Sequence, residues 1–391
     1  MPLPLTRRRF VALGAAGPLL FAPRMAFARA ATDRRFVFII QRGAADGLAT
    51  VIPQGDPALM GLRGELTPDP APCHRLDGFF ALHPALPHVA QLYGQGQALF
   101  VHAVASPYRD RSHFDGQNVL ETGGTRPYAR QDGWLNRLLA LMPGAPPGLA
   151  LAPTVPLALR GAHAVESAAP TGMALPPDDL IARLTTLYAH DAQLAPLWAA
   201  AREAMPLDPG KVRQDAATFG QMAATFLARA SGPRIAMLET GGWDTHSGQA
   251  GRLTDRLRAL DSLIAALQAG LGADVWAQTT VLVATEFGRT AAANGTGGTD
   301  HGTGAVAMLL GGAVKGGRVI ADWPGLAPAQ LLDGRDLRPT LGLDSLITQA
   351  AAETFGLDPA RVSRTLFDDQ AFSGPALESP ARNLLSGLVA A

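Results

Sequence analysis

Residues 235–246, which read IAMLETGGWDTH, decide how this chain is expected to fold. The stretch opens with an apolar run typical of a buried strand, and a pair of glycines then turns the chain and presents Asp244 and His246. In an open α/β sheet the strands are buried, and chemistry collects on the loops at their carboxyl ends. The stretch therefore predicts an α/β sheet with a functional site at its carboxyl edge.

Apolar runs elsewhere predict the other strands of this sheet. They occupy residues 35–40, 98–104, 279–285 and 305–310, and residues 317–322 are expected to form an edge strand. Residues 253–271 carry leucines and an isoleucine at helical spacing, which predicts an amphipathic crossover helix. Strands alternating with helices favour parallel pairing. We therefore expect a mostly parallel central sheet with helices on both faces.

The middle of the chain has a different organisation. Residues 142–233 begin with a Pro- and Gly-rich stretch and continue with helix-like runs at 178–189, 194–204 and 215–230. About 90 residues whose apolar positions are mostly Ala make a thin core. We interpret them as a helical insertion or cap within one α/β domain that spans residues 31–391. The last twenty or so residues are expected to be a loosely packed tail.

The first thirty residues resemble an export signal. Residues 6–11, TRRRFV, match the twin-arginine pattern, and the apolar stretch that follows at 11–22 is shorter than the roughly 20 residues of a membrane span. Residues 1–30 contain five arginines and no acidic residue. We predict a signal peptide that is read by the twin-arginine export machinery, so that the protein is periplasmic or otherwise exported. The alternative is a basic tail.

Composition excludes several classes of function. The 391 residues include 33 basic and 33 acidic side chains, and no Lys/Arg run in the body of the chain argues for nucleic acid. No integral membrane span is expected after the signal. Cys73 is the only cysteine, so neither a disulfide framework nor a Cys-based zinc site forms within one chain.

Carboxylates and imidazoles follow several predicted strands. The candidate metal ligands are Asp46, Asp244, His246, Glu286, Asp300 and His301. Imidazole and carboxylate without thiolate suit a divalent zinc, manganese, calcium or iron ion, and do not distinguish among them. Such a metal polarises a phosphoryl or sulfuryl oxygen or lowers the pKa of a bound water. The alternative for each residue is an ordinary structural hydrogen bond.

Ser112 is the candidate nucleophile. Asp115 stands three residues later, which resembles a helix capping box, so Ser112 is either a structural N-cap or a group that contacts substrate at a helix N-terminus. Arg109 and Arg111 stand just ahead and could hold an anionic group. Arg42, Arg109 or Arg289 could neutralise charge that develops during a reaction. For Arg289, a structural salt bridge is the alternative.

Several motifs in order resemble one known family. They are QRGAADGL at 41–48, RSHFD at 111–115, GWL at 133–135, GWDTH at 242–246, EFGRT at 286–290 and TDHG at 299–302. The chain is similar to the exported "domain of unknown function 1501" family, which is placed near the alkaline phosphatase and sulfatase superfamily. The resemblance covers the mature chain and implies an alkaline-phosphatase/sulfatase-like α/β fold with a metal site at the strand ends.

The resemblance also implies roles for individual residues. Ser112 matches the superfamily nucleophile, and Asp244, His246 and His301 match one metal position. Arg42 stands where the superfamily has an Asp, with Asp46 four residues later, and Glu286-Phe287 stands in place of Asp-His. The second metal position is thus expected to be eroded, although Glu286 and Asp46 could restore part of it.

The function expected from these features is that of an exported metal-dependent hydrolase. Its substrate would be a phosphate or sulfate ester of a small molecule or a glycan, cleaved at the carboxyl edge of the strands. The first alternative is a non-catalytic periplasmic binding or assembly protein that keeps the fold, since fold alone does not determine function. A further alternative is an enzyme that modifies a cell-surface glycan.

Overall fold

The computed structural model of the protein describes residues 32–169, 178–189, 191, 194–204, 215–367 and 384–390. The expected signal segment, residues 1–30, lies outside the described residues. The strands in these ranges are, in chain order, β1 (Arg35–Gln41), β2 (Val51–Ile52), β3 (His74–Arg75), β4 (Ala81–Leu82), β5 (Ala98–Ala105), β6 (Gly148–Leu151), β7 (Val165–Ser167), β8 (Ile235–Thr240), β9 (Thr279–Ala284), β10 (Ala305–Leu310), β11 (Arg318–Ile320) and β12 (Leu341–Gly342).

The helices lie between groups of strands and after the last strand. They are, in chain order, α1 (Gly47–Thr50), α2 (Leu59–Arg63), α3 (Pro87–Gly94), α4 (His113–Thr122), α5 (Trp134–Ala140), α6 (Asp178–Tyr188), α7 (Leu194–Ala204), α8 (Ala216–Leu227), α9 (Gln249–Trp276), α10 (Leu343–Phe355) and α11 (Pro359–Leu366). Within the described ranges, no helix is both long enough and apolar enough to cross a membrane.

Nine of the described strands form one large sheet, with β1 near its centre. The order is β11-β5-β10-β9-β1-β8-β6-β7, and β12 pairs with β5 next to β11. β1 is parallel to both of its neighbours, with Phe38 opposite Met237 of β8 and Leu282 of β9. All seven residues of β1 are buried, as its apolar run predicts for a central strand. Strands β2, β4 and β3 form a small separate sheet.

β10 is the strand that runs antiparallel to its neighbours β9 and β5. The connection from β9 to β10 covers residues 285–304, all of which the structure describes, and it contains no helix. A parallel neighbour requires a crossover of a dozen or more residues, usually a helix, whereas this connection stays at the end where β9 finishes. The residues just before β10 therefore lie at the carboxyl edge of β1, β8 and β9.

Alternate residues of β1 face two separate cores. Phe36 and Phe38 face one core, in which Trp134 of α5 lies 5.2 Å from Phe38 between ring centroids, and α10 and α11 complete that side. Val37 and Ile39 face the other core, which is covered by α3, α8 and α9. The predicted fold class, α/β with a mostly parallel central sheet and helices on both faces, is confirmed.

Two parts of the chain differ from their sequence interpretation. Within 142–233, expected to be helical, β6 and β7 are strands at one edge of the main sheet and α8 packs in its second core. The division of the chain into a signal and one domain with an insertion stays a prediction. The prediction of a loosely packed tail is wrong for residues 384–390, because Leu385, Leu388 and Val389 are buried in the first core.

Candidate metal centre

Four polar side chains meet where the loops at the carboxyl edge converge. They are His113 at the start of α4, Asp244 and His246 after β8, and His301 before β10. The Nε2 atoms of His246 and His301 are 3.0 Å apart, and Asp244 Oδ1 lies 3.0 Å from the first and 3.4 Å from the second. Asp244 Oδ2 lies 3.5 Å from the Nε2 of His113. One ligand atom from each of His113, Asp244 and His301 falls within 4.8 Å of the others.

The other ring nitrogen of each histidine has its own acceptor. His113 Nδ1 donates to Glu286 Oε1 at 2.8 Å, and His246 Nδ1 donates to Asp300 Oδ1 at 3.0 Å. The third, His301 Nδ1, donates to the backbone carbonyl of Arg111 at 2.8 Å. Carboxylates and carbonyls only accept, so these acceptors assign the Nδ1–H tautomer to all three rings. In their neutral form, the three Nε2 atoms therefore present lone pairs to the centre.

These lone pairs require a positive charge between them. Two bare Nε2 atoms 3.0 Å apart cannot hydrogen bond to each other, and His113 Nε2 is buried without a hydrogen-bond partner. Metal-bound imidazoles commonly donate their second nitrogen to a carboxylate or a backbone carbonyl, which is the arrangement of all three rings here. Imidazole nitrogens about 2.0–2.1 Å from one metal ion are themselves about 3 Å apart. The residues present thus fit a divalent metal ion.

Glu286 supports the centre from behind His113. Its carboxylate is fully buried and accepts from the Gly43 N–H at 2.9 Å, from Gln117 at 3.1 Å and from Thr285 at 2.9 Å. Burial alone would raise the pKa of Glu286, but these hydrogen bonds, led by that from His113, hold the pKa below its ordinary value. A side chain at position 43 would place its Cβ 2.7 Å from the backbone nitrogen of Asp244, so this close approach requires glycine.

Arg289 supports the centre from behind Asp244. Its buried guanidinium donates to Asp244 Oδ1 at 2.8 Å and, through Nε, to Thr299 at 3.0 Å. Burial would raise the pKa of Asp244, but the hydrogen bond and the charge of Arg289 outweigh it and lower the pKa. Arg289 therefore forms a salt bridge with Asp244, which was the alternative to its predicted contact with substrate.

The rings of His113 and His301 differ in how readily they take a proton. The hydrogen bond to Glu286 raises the pKa of His113, and burial lowers the pKa of His301. The two rings meet edge to face, with centroids 4.3 Å apart, and Phe287 lies against both. In the metal-free protein, a proton at this centre therefore favours His113 over His301.

The remaining predicted ligands lie at different depths. Asp300 and Glu286 stand one hydrogen bond behind His246 and His113. Asp46 lies elsewhere: it is the N-cap of α1, forms a buried ion pair with Arg63 and accepts from Gln249 at 2.6 Å. The structure thus brings Asp244, His246 and His301 together and leaves Asp46 outside the group. Direct metal ligation by each of these residues stays a prediction.

Ser112 occupies the N-cap position of α4 without acting as a side-chain cap. Its hydroxyl makes no capping hydrogen bond, while its backbone N–H donates to the Tyr108 hydroxyl at 3.0 Å. Ser112 stands between Arg111, whose carbonyl holds His301, and His113. Its hydroxyl is thus free of the capping role, and Ser112 is next in sequence to His113 of the centre.

The other predicted arginines are engaged by the protein. Arg42 pairs with Glu239 at 2.5 Å and with Glu121 at 2.9 Å. Arg109 donates to the backbone carbonyls of Ser106 and Tyr108. Arg109 is exposed, and its hydrogen bonds include no carboxylate partner. Of the two arginines, Arg109 is therefore the better placed to contact a substrate.

His113 is a member of the centre that the sequence interpretation missed. It directly follows Ser112 in the motif at residues 111–115, which was interpreted through Ser112 and Arg111 alone. A signal was available, since a histidine in the first turn of a helix that begins after a buried strand lies at the same edge as Asp244 and His246. An N-terminal histidine on a helix has many structural uses, however, and only the fold brings it to Asp244.

Residues 93–367 match the family described as "Protein of unknown function (DUF1501)". The chain belongs to this family. No curated protein sequence matches the chain.

Three solved structures show a distant likeness. A crystal structure of Ps i-CgsB has 12% identity and a TM-score of 0.43, covering 88% of this chain and 76% of that chain. The same protein in complex with k-i-k-neocarrahexaose has 11% identity and a TM-score of 0.42, covering 91% and 77%. The phosphonate monoester hydrolase of Agrobacterium radiobacter has 12% identity and a TM-score of 0.31, covering 73% and 70%. At these values the likeness carries no inference about activity.

Proposed function

We propose that the protein is an exported metal-dependent hydrolase that cleaves a phosphate or sulfate ester. The observation that carries this proposal is the convergence of the His113, His246 and His301 Nε2 atoms on the Asp244 carboxylate. A bound divalent metal supplies Lewis acidity, which polarises an ester oxygen or lowers the pKa of a bound water. The protein itself holds the four ligand groups in position and fixes the tautomer of each imidazole before substrate binds.

Ser112 is the proposed nucleophile. Its hydroxyl is free of the capping bond, and it precedes the first N–H groups of α4, a ten-residue helix. Free N–H groups at a helix N-terminus favour negative charge, so this position suits an anionic ester group. Exposed Arg109 lies in the same loop and is the proposed contact for the remaining charge of that group. If Ser112 is not the nucleophile, attack by water is the second route.

The non-ester part of the substrate is proposed to be a small molecule or a glycan. Phe114 directly follows His113, and its side chain is 82% exposed. An exposed aromatic ring beside an anion-binding helix start gives the apolar face of a sugar ring a surface to stack on. Export through the twin-arginine machinery belongs to the same proposal and rests on residues 6–11.

One observation favours the alternative of a non-catalytic exported binding protein. Arg42 and Arg289 are paired with carboxylates, and Asp46, the expected contributor to a second metal position, is buried against Arg63. A two-metal site is therefore not assembled from these residues. A protein of this kind would still bind the metal at the first position, using it to hold a ligand rather than to cleave one.

Metal content tests the proposal directly. The full chain would be expressed with export, purified from the periplasm and measured for metal by mass spectrometry, beside His113→Ala and His301→Ala variants. His163→Ala is the matched control, because His163 is an exposed histidine whose contact with Asn136 runs through its backbone. We expect about one metal ion in the wild type and the control, and loss of it in both site variants. A wild type without stoichiometric metal overturns the proposal.

Turnover separates the enzyme from the binding protein. Aryl phosphate and aryl sulfate esters would be assayed with metal-loaded wild type and with Ser112→Ala. We expect hydrolysis of one ester class, lost in Ser112→Ala while metal content stays unchanged. Activity that persists in Ser112→Ala assigns the attack to water. Full metal occupancy with no turnover of either ester favours the binding protein.

A further inference from the structure

We propose that the Arg111–Asp336 ion pair is a positioning device that holds His301 in the tautomer and orientation the metal centre requires. The inference rests on the proposed function for its metal-binding consequence, while its structural part stands on contacts within the chain. The pair was not part of the sequence interpretation, in which Arg111 was a candidate contact for an anionic group.

The backbone of Arg111 adopts a conformation that side-chain-bearing residues rarely take. Its φ angle is +61°, in the left-handed region. In this conformation its carbonyl oxygen accepts the hydrogen bond from His301 Nδ1 at 2.8 Å. Strained conformations persist where the surroundings over-determine them, and they cluster at functional sites. Something must therefore hold Arg111 in place.

The guanidinium of Arg111 provides that hold. Its Nε and Nη2 donate to Asp336 Oδ2 at 3.1 Å and 2.8 Å, and Asp336 is fully buried. Asp336 is itself fixed, because Thr303 donates to Oδ2 at 2.8 Å and Arg335 donates to Oδ1 at 3.2 Å. Arg335 also donates to the backbone carbonyl of His301 at 2.8 Å. Asp336 thus connects to both the ring and the main chain of His301.

The pair joins two loops that are distant in sequence. Arg111 belongs to the loop between β5 and α4, which carries Ser112 and leads directly into His113, and Asp336 is held beside the loop that carries His301. The His113 and His301 rings, one from each side of this connection, lie with centroids 4.3 Å apart. A loss of the pair frees the Arg111 backbone to leave the left-handed region, which removes the acceptor that fixes the His301 tautomer.

The test measures the tautomer and the metal affinity separately. Long-range proton–nitrogen spectra of the metal-free full chain report which ring nitrogen of His301 carries hydrogen, with the signals assigned from a His301→Gln variant. Zinc affinity is measured by competition with a chelator. In Arg111→Lys and Asp336→Asn we expect His301 to become a mixture of tautomers and zinc affinity to fall by about 10- to 100-fold.

Asp333→Asn is the matched control. Its carboxylate lies 3.8 Å from the same Arg111 Nη2 but is 73% exposed, so its pairing with Arg111 contributes little. We expect the tautomer and the zinc affinity of Asp333→Asn to equal those of the wild type. An equal loss in Asp333→Asn and Asp336→Asn overturns the proposal, because it would reflect charge alone.

Arg111→Gly distinguishes positioning from simple stabilisation. Glycine takes a φ of +61° without strain, so no strain drives its backbone out of the left-handed region when the ion pair is gone. We expect Arg111→Gly to retain more zinc affinity, and more of the Nδ1–H tautomer, than Arg111→Ala, which also lacks the ion pair but keeps the strain at φ +61°. Equal or greater loss in Arg111→Gly overturns the proposal. If the wild type binds no zinc, the proposed function fails, and the tautomer spectra still decide this inference. Asp336 is buried, so the Arg111 variants decide it if Asp336→Asn does not fold.

Discussion

A histidine in this protein is characterised by what its two ring nitrogens contact. His102 of β5 is fully buried, and both of its nitrogens are satisfied: Nε2 donates to the Val51 carbonyl at 2.9 Å, and Nδ1 accepts from the Ala103 N–H at 2.8 Å. His113 has one satisfied nitrogen and one buried nitrogen without a partner. His102 lies within the apolar run of β5 and is a core residue, whereas His113 follows that run and has a ring nitrogen left over at the candidate metal centre.

The protein is expected to become less stable as pH is lowered, because His102 is buried. Burial lowers the pKa of His102 from 6.5 to about 4. The unfolded chain therefore binds a proton between these values that the folded protein refuses. The contribution of His102 is fully present above pH 6.5 and is lost as pH falls to about 4, by about 3 kcal/mol. Urea unfolding at several pH values, with chelator present, measures this loss.

His102→Gln isolates this contribution. Glutamine does not titrate, so we expect the variant to be less stable at pH 7.5 and to lose less of its unfolding free energy between pH 6.5 and 4. His163→Gln, at an exposed loop histidine, is the control and is expected to follow the wild type. Parallel curves for wild type and His102→Gln would contradict the assignment.

Helices α8 and α9 pack closely because small residues face each other between them. A Cβ added at Gly220 of α8 would lie 2.3 Å from the backbone carbonyl oxygen of Leu263 of α9. Ala224 of α8 similarly faces Gly270 of α9, where an added Cβ would lie 2.6 Å from the Ala224 Cβ. This close approach ties the end of the middle region to the crossover helix that the sequence predicts. Helix α8 thereby packs against the part of α9 around residues 263–270.

Alanine substitutions at two glycines of these helices are expected to have opposite signs. Gly220→Ala forces the helices apart and should lower the unfolding free energy by about 1–3 kcal/mol. Gly251, in the first turn of α9, is exposed with open space where its Cβ would lie, so Gly251→Ala should raise the unfolding free energy by about 0.5–1 kcal/mol. Chemical denaturation of the two variants checks this, and a loss of similar size at both sites would contradict the packing argument.

At the scale of the whole molecule, the end of the chain closes the first core. The Glu353 carboxylate in α10 accepts from the backbone N–H groups of Gly387, Leu388 and Val389 at 2.8, 2.6 and 2.7 Å. Val389 also pairs with Val314 in an isolated bridge. Three charge-assisted hydrogen bonds to one carboxylate hold the segment against the sheet. Residues 384–390, which the sequence interpretation assigned to a loose tail, are thus part of the fold.

Glu353→Gln is expected to loosen this closure. The amide oxygen accepts more weakly than a carboxylate, and one of the bound N–H groups faces an amide NH₂ instead, so the unfolding free energy should fall by about 1–3 kcal/mol. Glu166→Gln, at an exposed acid of β7, is the matched control and should change stability little. Thermal unfolding measures both. An unchanged melting temperature in Glu353→Gln would show that the segment does not contribute to global stability.

The sequence predicts the elements of the sheet well because their signal is local. Apolar runs at β1, β5, β9 and β10 each mark a buried strand, and the polar residues after β8 mark its carboxyl edge. The direction of β10 was not predicted, because strand direction depends on how the connection at 285–304 folds back. That reversal is what brings His301 to the candidate metal centre.

The sequence by itself determined the α/β class, the family, and the residue types that meet in the candidate metal centre at one sheet edge. Only the tertiary structure decided which of those residues face the centre. Asp46 and Asp244 are both carboxylates after central strands, yet Asp46 is enclosed by Arg63 while Asp244 meets three imidazoles. The reason is physical: a carboxylate or imidazole becomes a ligand or a support according to the donors and acceptors that surround it. Those partners lie far away in sequence and are brought to it by folding.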